Sequence, residues 1–201
     1  MRQTVLRPRP AAARVAGAVV LMLLVSCGGG GSDTTDDSAA SAPEAASEPA
    51  KVSEQASCAI PDFAAAALEA INQRRAAGAT CGSRGTFAAA APLRWNSLLA
   101  DASAGHSADM ATQNYFSHTS ADGRTMSDRV NATGYSSASL GENIAAGYAD
   151  IASVVDGWMR SDGHCANIMN PIFDEMGLAC VKGAAGSRYG QYWTQNLALK
   201  R

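Results

Sequence analysis

The sequence predicts an α+β domain in which helices come first and an antiparallel hairpin follows. Apolar residues recur at helical spacing in segments between residues 63 and 159. Two strand-like segments follow at 176–181 and 188–199, and a KGAAGS turn lies between them. A run of helices followed by paired strands is typical of an α+β domain, whose helices pack on the sheet in layers.

Residues with favourable capping chemistry mark the predicted helix ends. Pro61 suits the first position of the first helix, where its missing N–H costs nothing, and Gly78 ends that helix. Asn96 is the predicted N-cap of the second helix, Gly134 ends a short helix, and Asp150 begins a third clear helix. The second helix is expected to bury the stripe Leu99, Ala102, Ser103, His106 and Met110.

The strand segments differ from the helices in their apolar pattern. The segment MGLACV is apolar on both faces, which predicts a strand covered by protein on both sides. The segment 188–199 is aromatic and is expected to pair with it, and residues 141–144 add a third strand. The predicted sheet is therefore small and antiparallel.

The N-terminal part of the chain is interpreted as a targeting segment and a linker. Residues 1–26 combine a basic start with an apolar run that is too short to span a bilayer, as in a lipoprotein signal peptide. The LLVSC ending resembles a bacterial lipobox, which implies lipidation of Cys27. Residues 27–57 are rich in Gly, Ser, Ala and Asp and are predicted to form a flexible tether spanning about 30 Å. The folded domain is assigned to residues 58–201.

Charge and targeting together define the expected surroundings of the domain. The chain has 16 basic and 18 acidic residues, and removal of four signal arginines leaves a charge of about −6. This balance argues against nucleic acid as a partner. The expected protein is a monomer, exported and anchored by lipid to the outer membrane or the cell surface, where it meets an extracellular or envelope ligand.

Four cysteines remain once Cys27 is assigned to lipid. They allow three disulfide pairings, and an exported domain is expected to form two bridges. Proximity in sequence favours Cys58–Cys81 and Cys165–Cys180. Each bridge would stabilise the fold by about 3 kcal/mol in the chain-entropy model.

Three polar side chains are the candidate functional groups. His118 lies in YFSHTSADG, Glu142 in GENIAAGY, and His164 in WMRSDGHCANIMNP. Imidazole and carboxylate groups are common zinc ligands and general acids or bases. His106, the third histidine of the chain, lies on an apolar helix face and is interpreted as a core residue.

The order of these motifs resembles that of the CAP superfamily, in its bacterial branch of SCP-like or allergen V5/Tpx-1-related extracellular domains. The matching segments are HSADM, YFSH, RVNATGY, GENIAAGY, GWMRSDGHCANIM, FDEMGLACV and YWTQ. The resemblance implies an α-β-α sandwich with a small antiparallel sheet between helical layers. It also implies a central cleft that contains His118, Glu142 and His164 and that holds a divalent metal in some members.

The chain departs from the family pattern at one cleft position. Where many eukaryotic members have a second glutamate, this chain has Ser161, so neighbouring Asp162 and the more distant Glu175 are the candidate replacements. Glu175 is otherwise expected to be an exposed residue at a strand entry. The remaining supporting residues are predicted to be Asn143 and Asn167.

The sequence favours a binding module over an enzyme. In this hypothesis His118, Glu142 and His164 present a zinc ion or another divalent cation to an external ligand. One alternative is a hydrolase in which metal-bound or Glu142-activated water attacks a peptide, ester or peptidoglycan bond. Another alternative, implied by the resemblance, is a lipid or sterol carrier.

Overall fold

The computed structural model describes residues 53–201. The helices of this region alternate with strands and are followed by a long hairpin. The helices are α1 (Phe63–Ala77), α2 (Ser97–Gln113), α3 (Met126–Ala132), α4 (Ile151–Met159) and α5 (Asp162–Met169). The strands are β1 (Ala79–Thr80), β2 (Thr86–Phe87), β3 (Arg94–Trp95), β4 (Ser137–Ala146), β5 (Glu175–Lys182) and β6 (Gln191–Lys200).

The central sheet has four strands in the order β3-β5-β6-β4. Strand β6 is antiparallel to both β4 and β5, whereas the short strand β3 runs parallel to β5. Strand β4 is therefore an edge strand. Its carbonyls at Glu142 and Ile144 accept hydrogen bonds from the side chains of Asn167 and Trp158, which cover this edge.

Helices cover both faces of the sheet, which confirms the predicted α+β sandwich. Alternate residues of β6 point to opposite layers. Trp193 and Leu197 belong to the core shared with α1, α4 and α5, whereas Ala198 packs with Leu99 of α2. A side chain at Gly177 would collide with the backbone of α2, so this glycine permits the close approach of α2 to β5.

Most predicted helix ends are confirmed. The Asn96 side chain accepts hydrogen bonds from the amides of Leu98 and Leu99, and Asp150 forms a capping box at the start of α4. Gly78 ends α1 with a positive φ of 69°. The prediction for Pro61 was wrong by two positions, because α1 begins at Phe63. Helix α5, which carries His164, was not predicted.

The predicted disulfide pairing was wrong. The bridges are Cys58–Cys180 and Cys81–Cys165, with Cα–Cα distances of 5.3 and 5.4 Å. Proximity in sequence failed because β5 crosses the middle of the sheet beside the start of the domain, where the Cys58 amide bonds to the Cys180 carbonyl. Each bridge consequently joins segments that are distant in the chain.

The predicted signal peptide, Cys27 and most of the tether lie outside the described residues. The last predicted tether residues are in contact with the domain: Glu54–Ala56 form a 3-10 turn, and Ser57 pairs with Cys180. Within residues 53–201, no helix has the length and apolar character needed to cross a membrane.

Candidate functional site

A cavity of about 600 Å³ lies beside β4, at one edge of the sheet. His118 and His164 both line it, together with Ile144–Ala146 of the edge strand. Four aromatic side chains complete much of its wall: Phe116, Tyr148, Trp158 and Tyr189. This cavity, called the cleft below, brings together the two histidines that the sequence singled out.

His118 lies on the loop between α2 and α3, and Glu142 lies behind it on β4. The Nδ1 atom of His118 is 2.8 Å from Oε1 of Glu142. The His118 side chain is 57% exposed, whereas that of Glu142 is only 3% exposed. Because a carboxylate only accepts hydrogen bonds, Nδ1 of His118 carries the proton, and Nε2 is the ring nitrogen left for the cleft.

Arg129 of α3 holds the other oxygen of Glu142. Its Nη2 lies 2.6 Å from Oε2 of Glu142, and both side chains are almost fully buried. Burial raises the pKa of the Glu142 carboxyl, but the hydrogen bond from His118 and the charge of Arg129 outweigh burial and bring the pKa below its ordinary value. Glu142 is therefore an ionised support for His118 and does not line the cleft.

His164 reaches the cleft from the opposite helical layer. It lies in the first turn of α5, next to Cys165, whose disulfide with Cys81 fixes the helix to an earlier loop. Burial is the main cause that lowers the pKa of the His164 imidazole, and the charge of nearby His118 lowers it further. The imidazole is therefore neutral, and able to bind a metal or accept a proton, over a wider pH range than an ordinary histidine.

The two predicted supporting asparagines join the two sides of the cleft. The Asn167 side chain on α5 donates to the Asn143 side chain at 2.9 Å and to the Glu142 carbonyl at 3.2 Å. Asn143 in turn donates to the His164 carbonyl at 3.4 Å and to the Gln195 side chain at 2.9 Å. These bonds couple the position of α5 to that of β4.

His106 is buried in α2, as predicted, and it supports the loop of His118. Its Nε2 donates to the carbonyl of Ser117 at 2.9 Å, whereas its Nδ1 is buried without a hydrogen-bond partner in the described region. Burial is the main cause that lowers the pKa of the His106 imidazole, and the Arg129 charge acts in the same direction. His106 is therefore a neutral donor in the core.

Neither candidate for the second carboxylate faces the cleft. Asp162 accepts hydrogen bonds from the amide and hydroxyl of Ser83, at 2.8 and 2.6 Å. Glu175 was expected to be exposed, but it is buried and accepts hydrogen bonds from Asn96 and Tyr135. Ser161, by contrast, lines the cleft, so a hydroxyl lies where the family pattern places a carboxylate.

The fit of a metal ion to this arrangement depends on the two imidazoles. In residues 53–201, no group of three or more His, Cys, Asp or Glu side chains has the geometry to hold a metal ion. Both oxygens of Glu142 are already bonded, to His118 and to Arg129. The available protein ligands are therefore His118 and His164, and Glu142 is the carboxylate that orients one of them, as is common around metal sites.

Sequence reasoning missed Arg129 and the aromatic wall of the cleft. Arg129 lies in a short helix whose neighbours Val130 and Met126 are apolar, and a lone arginine on such a face was the available signal. Phe116 is 41% exposed and contacts Tyr189 edge-to-face, with ring centroids 5.9 Å apart. The two residues are 73 positions apart in the chain, so only the fold reveals their contact.

The fold and the cleft together define a class of protein: a disulfide-linked, extracellular-type α+β sandwich with two histidines at a sheet edge. Residues 68–197 match the model of the cysteine-rich secretory protein family, called CAP. The chain belongs to this family. The sequence resemblance to the CAP superfamily is thereby confirmed.

Two proteins of Bacillus subtilis (strain 168) are similar to part of the chain. The uncharacterized protein YkwD is 36% identical over 109 residues, which cover 54% of this chain and 40% of YkwD. The uncharacterized membrane protein YlbC is 34% identical over 111 residues, which cover 55% of this chain and 30% of YlbC. The similarity therefore spans less than half the length of either relative.

One solved structure is also similar to part of the chain. A crystal structure of an extracellular protein containing a SCP domain, from Bacillus anthracis str. Ames, is 36% identical in sequence and has a TM-score of 0.49. The similarity covers 55% of this chain and 35% of that chain.

Proposed function

We propose that the domain is an extracellular binding module whose ligand occupies the cleft between His118 and His164. The observation that carries this proposal is that two imidazoles from different layers line one cavity of about 600 Å³. Aromatic side chains and a few convergent polar groups are the usual lining of a small-molecule site. The Glu142 hydrogen bond fixes the His118 ring before any ligand arrives, which reduces the ordering cost of binding.

A divalent transition metal is the first ligand that this chemistry fits. Imidazole nitrogens suit zinc, copper and nickel, whereas calcium and magnesium require several oxygen ligands. Among residues 53–201, no aspartate or glutamate lines the cleft. When bound, the metal would supply a Lewis acid, and His118 and His164 would hold it while Glu142 orients His118.

Calorimetric titration of the exported protein with zinc tests the proposal, with calcium as the control titrant. The parent protein is expected to bind one zinc ion, and the His118→Ala/His164→Ala variant is expected to bind it at least tenfold more weakly. Asp101→Ala is the matched control, because Asp101 is exposed and does not line the cleft. Equal zinc binding by the parent and the double variant would remove the metal from the proposal.

The organic part of the ligand is tested separately, because the aromatic wall also suits an apolar molecule. Solvent extraction of the purified protein followed by mass spectrometry identifies any lipid or sterol that stays bound. Recovery of one species from the parent but not from a Phe116→Ala variant would assign the cleft to a lipid carrier. Recovery of no lipid from either protein leaves the metal as the ligand to be pursued.

A second candidate function is hydrolysis, and the pair of His118 and Glu142 favours it. A carboxylate on Nδ1 orients an imidazole so that Nε2 can take a proton from water or from a hydroxyl, and such general-base catalysis contributes about 10²–10⁴-fold. Both oxygens of Glu142 are bonded to protein, so His118 would be the base and Glu142 its orienting partner.

Turnover assays with peptides, esters and peptidoglycan fragments test the hydrolase. In that function, His118→Ala is expected to abolish turnover, and Glu142→Gln is expected to reduce kcat by about 100-fold. Turnover that is unchanged in the His118→Ala variant would exclude His118 as the base. The absence of turnover in the parent with every substrate class would remove the hydrolase.

The proposed lipidation of Cys27 would hold the domain at the cell envelope, where it would meet its ligand. A diacylated or triacylated cysteine anchors a protein firmly, because each buried methylene contributes about 0.8 kcal/mol. Membrane fractionation of cells that produce the parent or the Cys27→Ser variant tests the anchor. Release of the variant, but not of the parent, into the soluble exported fraction is the expected result, and equal release would contradict lipidation.

A further inference from the structure

We propose that Arg129 is the positioning residue of the cleft, because it bonds both to the carboxylate behind His118 and to the loop that carries His118. The inference rests on the proposed function for its importance in binding, and its first test requires no ligand. Arg129 does not line the cleft, and its side chain is 4% exposed. Its role therefore acts through His118 and Glu142.

One arm of the Arg129 guanidinium holds Glu142. The 2.6 Å contact between Nη2 and Oε2 leaves only Oε1 for His118, so the carboxylate cannot rotate without breaking a buried ion pair. A buried carboxylate that keeps its charge accepts hydrogen bonds strongly. Arg129 thus orients the oxygen that selects the Nδ1–H tautomer of His118.

The other arm holds the loop itself. Nη1 of Arg129 donates to the carbonyls of His118 and Arg124 and to the Ser120 hydroxyl, each at 3.1 Å. These three contacts close the segment 118–124 around the guanidinium. Only the fork of arginine reaches a carboxylate with one arm and a set of loop oxygens with the other, whereas lysine supplies a single point of charge.

A second buried arginine gives a matched control. Arg75 of α1 is fully buried, and within residues 53–201 its side chain donates only to the backbone carbonyls of Ala91, Ile168, Asn170 and Phe173. It has the same chemistry and the same burial as Arg129, but it contacts neither His118 nor Glu142. Arg75→Lys is therefore expected to weaken the fold and leave the His118 tautomer unchanged.

Nitrogen-15 NMR of the histidine rings at about pH 8, without metal, is the first test. In the parent, His118 is expected to be a single Nδ1–H tautomer with an unprotonated Nε2. In Arg129→Lys and Arg129→Gln, the ring is expected to become a mixture of tautomers, whereas Arg75→Lys keeps the parent signals. A parent with the Nε2–H tautomer, or an Arg129 variant with the parent tautomer, would overturn the proposal.

Zinc titration separates this inference from the proposed function. Loss of a residue that orients a metal ligand typically weakens binding by 10–100-fold, so both Arg129 variants are expected to lose affinity in that range while the exposed-site control Asp101→Ala retains it. A parent that does not bind zinc would refute the metal proposal and leave the tautomer result decisive for Arg129. Should Arg129→Gln fail to fold, Arg129→Lys and the parent tautomer decide the outcome.

Discussion

The two histidines of the cleft are held in place by different kinds of bond. The His118 wall, made of the loop 114–125 with Glu142 and Arg129, depends on hydrogen bonds and one buried ion pair. The His164 wall, made of α4 and α5, is fixed by the Cys81–Cys165 disulfide beside His164. The first wall is thus sensitive to loss of the Glu142 or Arg129 charge, whereas the second is sensitive to reduction of its disulfide.

Of the predicted changes, removal of the Cys81–Cys165 disulfide in the His164 wall is expected to lower the unfolding free energy most. Cys81 and Cys165 are 84 residues apart, and opening a loop of this length costs about 4–5 kcal/mol in the chain-entropy model. The Cys81→Ala/Cys165→Ala variant should lose that much unfolding free energy in urea titrations and should also bind zinc more weakly.

The other disulfide provides the control for this prediction. Cys58 and Cys180 are 122 residues apart, so Cys58→Ala/Cys180→Ala should be destabilised by a similar amount. Neither residue lines the cleft, and the folded fraction of this variant should bind zinc with the parent affinity. A similar loss of zinc affinity in both variants would mean that the Cys81–Cys165 bridge has no special role in placing His164.

Loss of the ion pair in the His118 wall is expected to cause the next largest decrease in unfolding free energy. Glu142→Ala leaves the buried guanidinium of Arg129 without its carboxylate, which costs about 3 kcal/mol in comparable buried pairs. Urea unfolding measures the loss. Adding Arg129→Met to Glu142→Ala should recover part of it, and a double variant that is less stable than Glu142→Ala would contradict this account.

Removal of the asparagine contacts that join the two walls is expected to cause the third largest decrease in unfolding free energy. Asn167→Ala removes the donor to the Asn143 side chain and to the Glu142 carbonyl, and an unsatisfied buried acceptor costs about 1–2 kcal/mol. Solvent-exposed Asn131→Ala in α3 is the control, with little expected change. A double-mutant cycle of Asn167→Ala with Asn143→Ala should be non-additive, because their side chains bond to each other, and strict additivity would show that this bond does not couple the walls.

The smallest expected effect is that of pH. Because the folded-state pKa values of His106 and His164 are lowered, the unfolded chain binds protons below about pH 6.5 that the folded chain does not yet bind. The unfolding free energy should therefore fall as pH decreases from about 6.5, and should be unaffected by these groups above it. Glu142 adds a further loss only below about pH 4, because its own pKa is lowered.

Two variants divide this pH dependence between the walls. His106→Gln preserves a donor to the Ser117 carbonyl but does not titrate, so its stability should decline less steeply between about pH 6.5 and 5 than that of the parent. His164→Gln, in the His164 wall, should likewise make the unfolding free energy depend less steeply on pH. A slope that is the same in the parent and in both variants would exclude these histidines as its source.

Local residue patterns predicted most of the fold, because capping and periodicity act within a few residues. Asn96, Gly78 and Asp150 act at the expected helix ends, and the apolar segment MGLACV is the central part of β5. Helix α5 was missed because the segment DGHCANIM has no strong apolar period and begins with Asp-Gly. Its stability comes from Cys165 and from packing, which are tertiary contacts.

The cleft was predictable only in part, because it too depends on tertiary contacts that local residue patterns do not show. The motifs identified His118 and His164, but the roles of Glu142 and Arg129 depend on a contact between β4 and α3 that no spacing reveals. The disulfides show the limit most clearly, since Cys58 pairs with the most distant cysteine of the domain. Proximity in sequence predicts disulfide pairing poorly when a central strand comes late in the chain.

The Cys58–Cys180 bridge also determines how the domain resists mechanical tension. A pull applied through the chain before Cys58 passes directly into β5, the strand that lies between β3 and β6. The 121 residues enclosed by the bridge cannot extend while it is intact, so tension between the two termini acts only on the segments before Cys58 and after Cys180. Both histidines of the cleft lie inside the enclosed loop and are shielded from such a force.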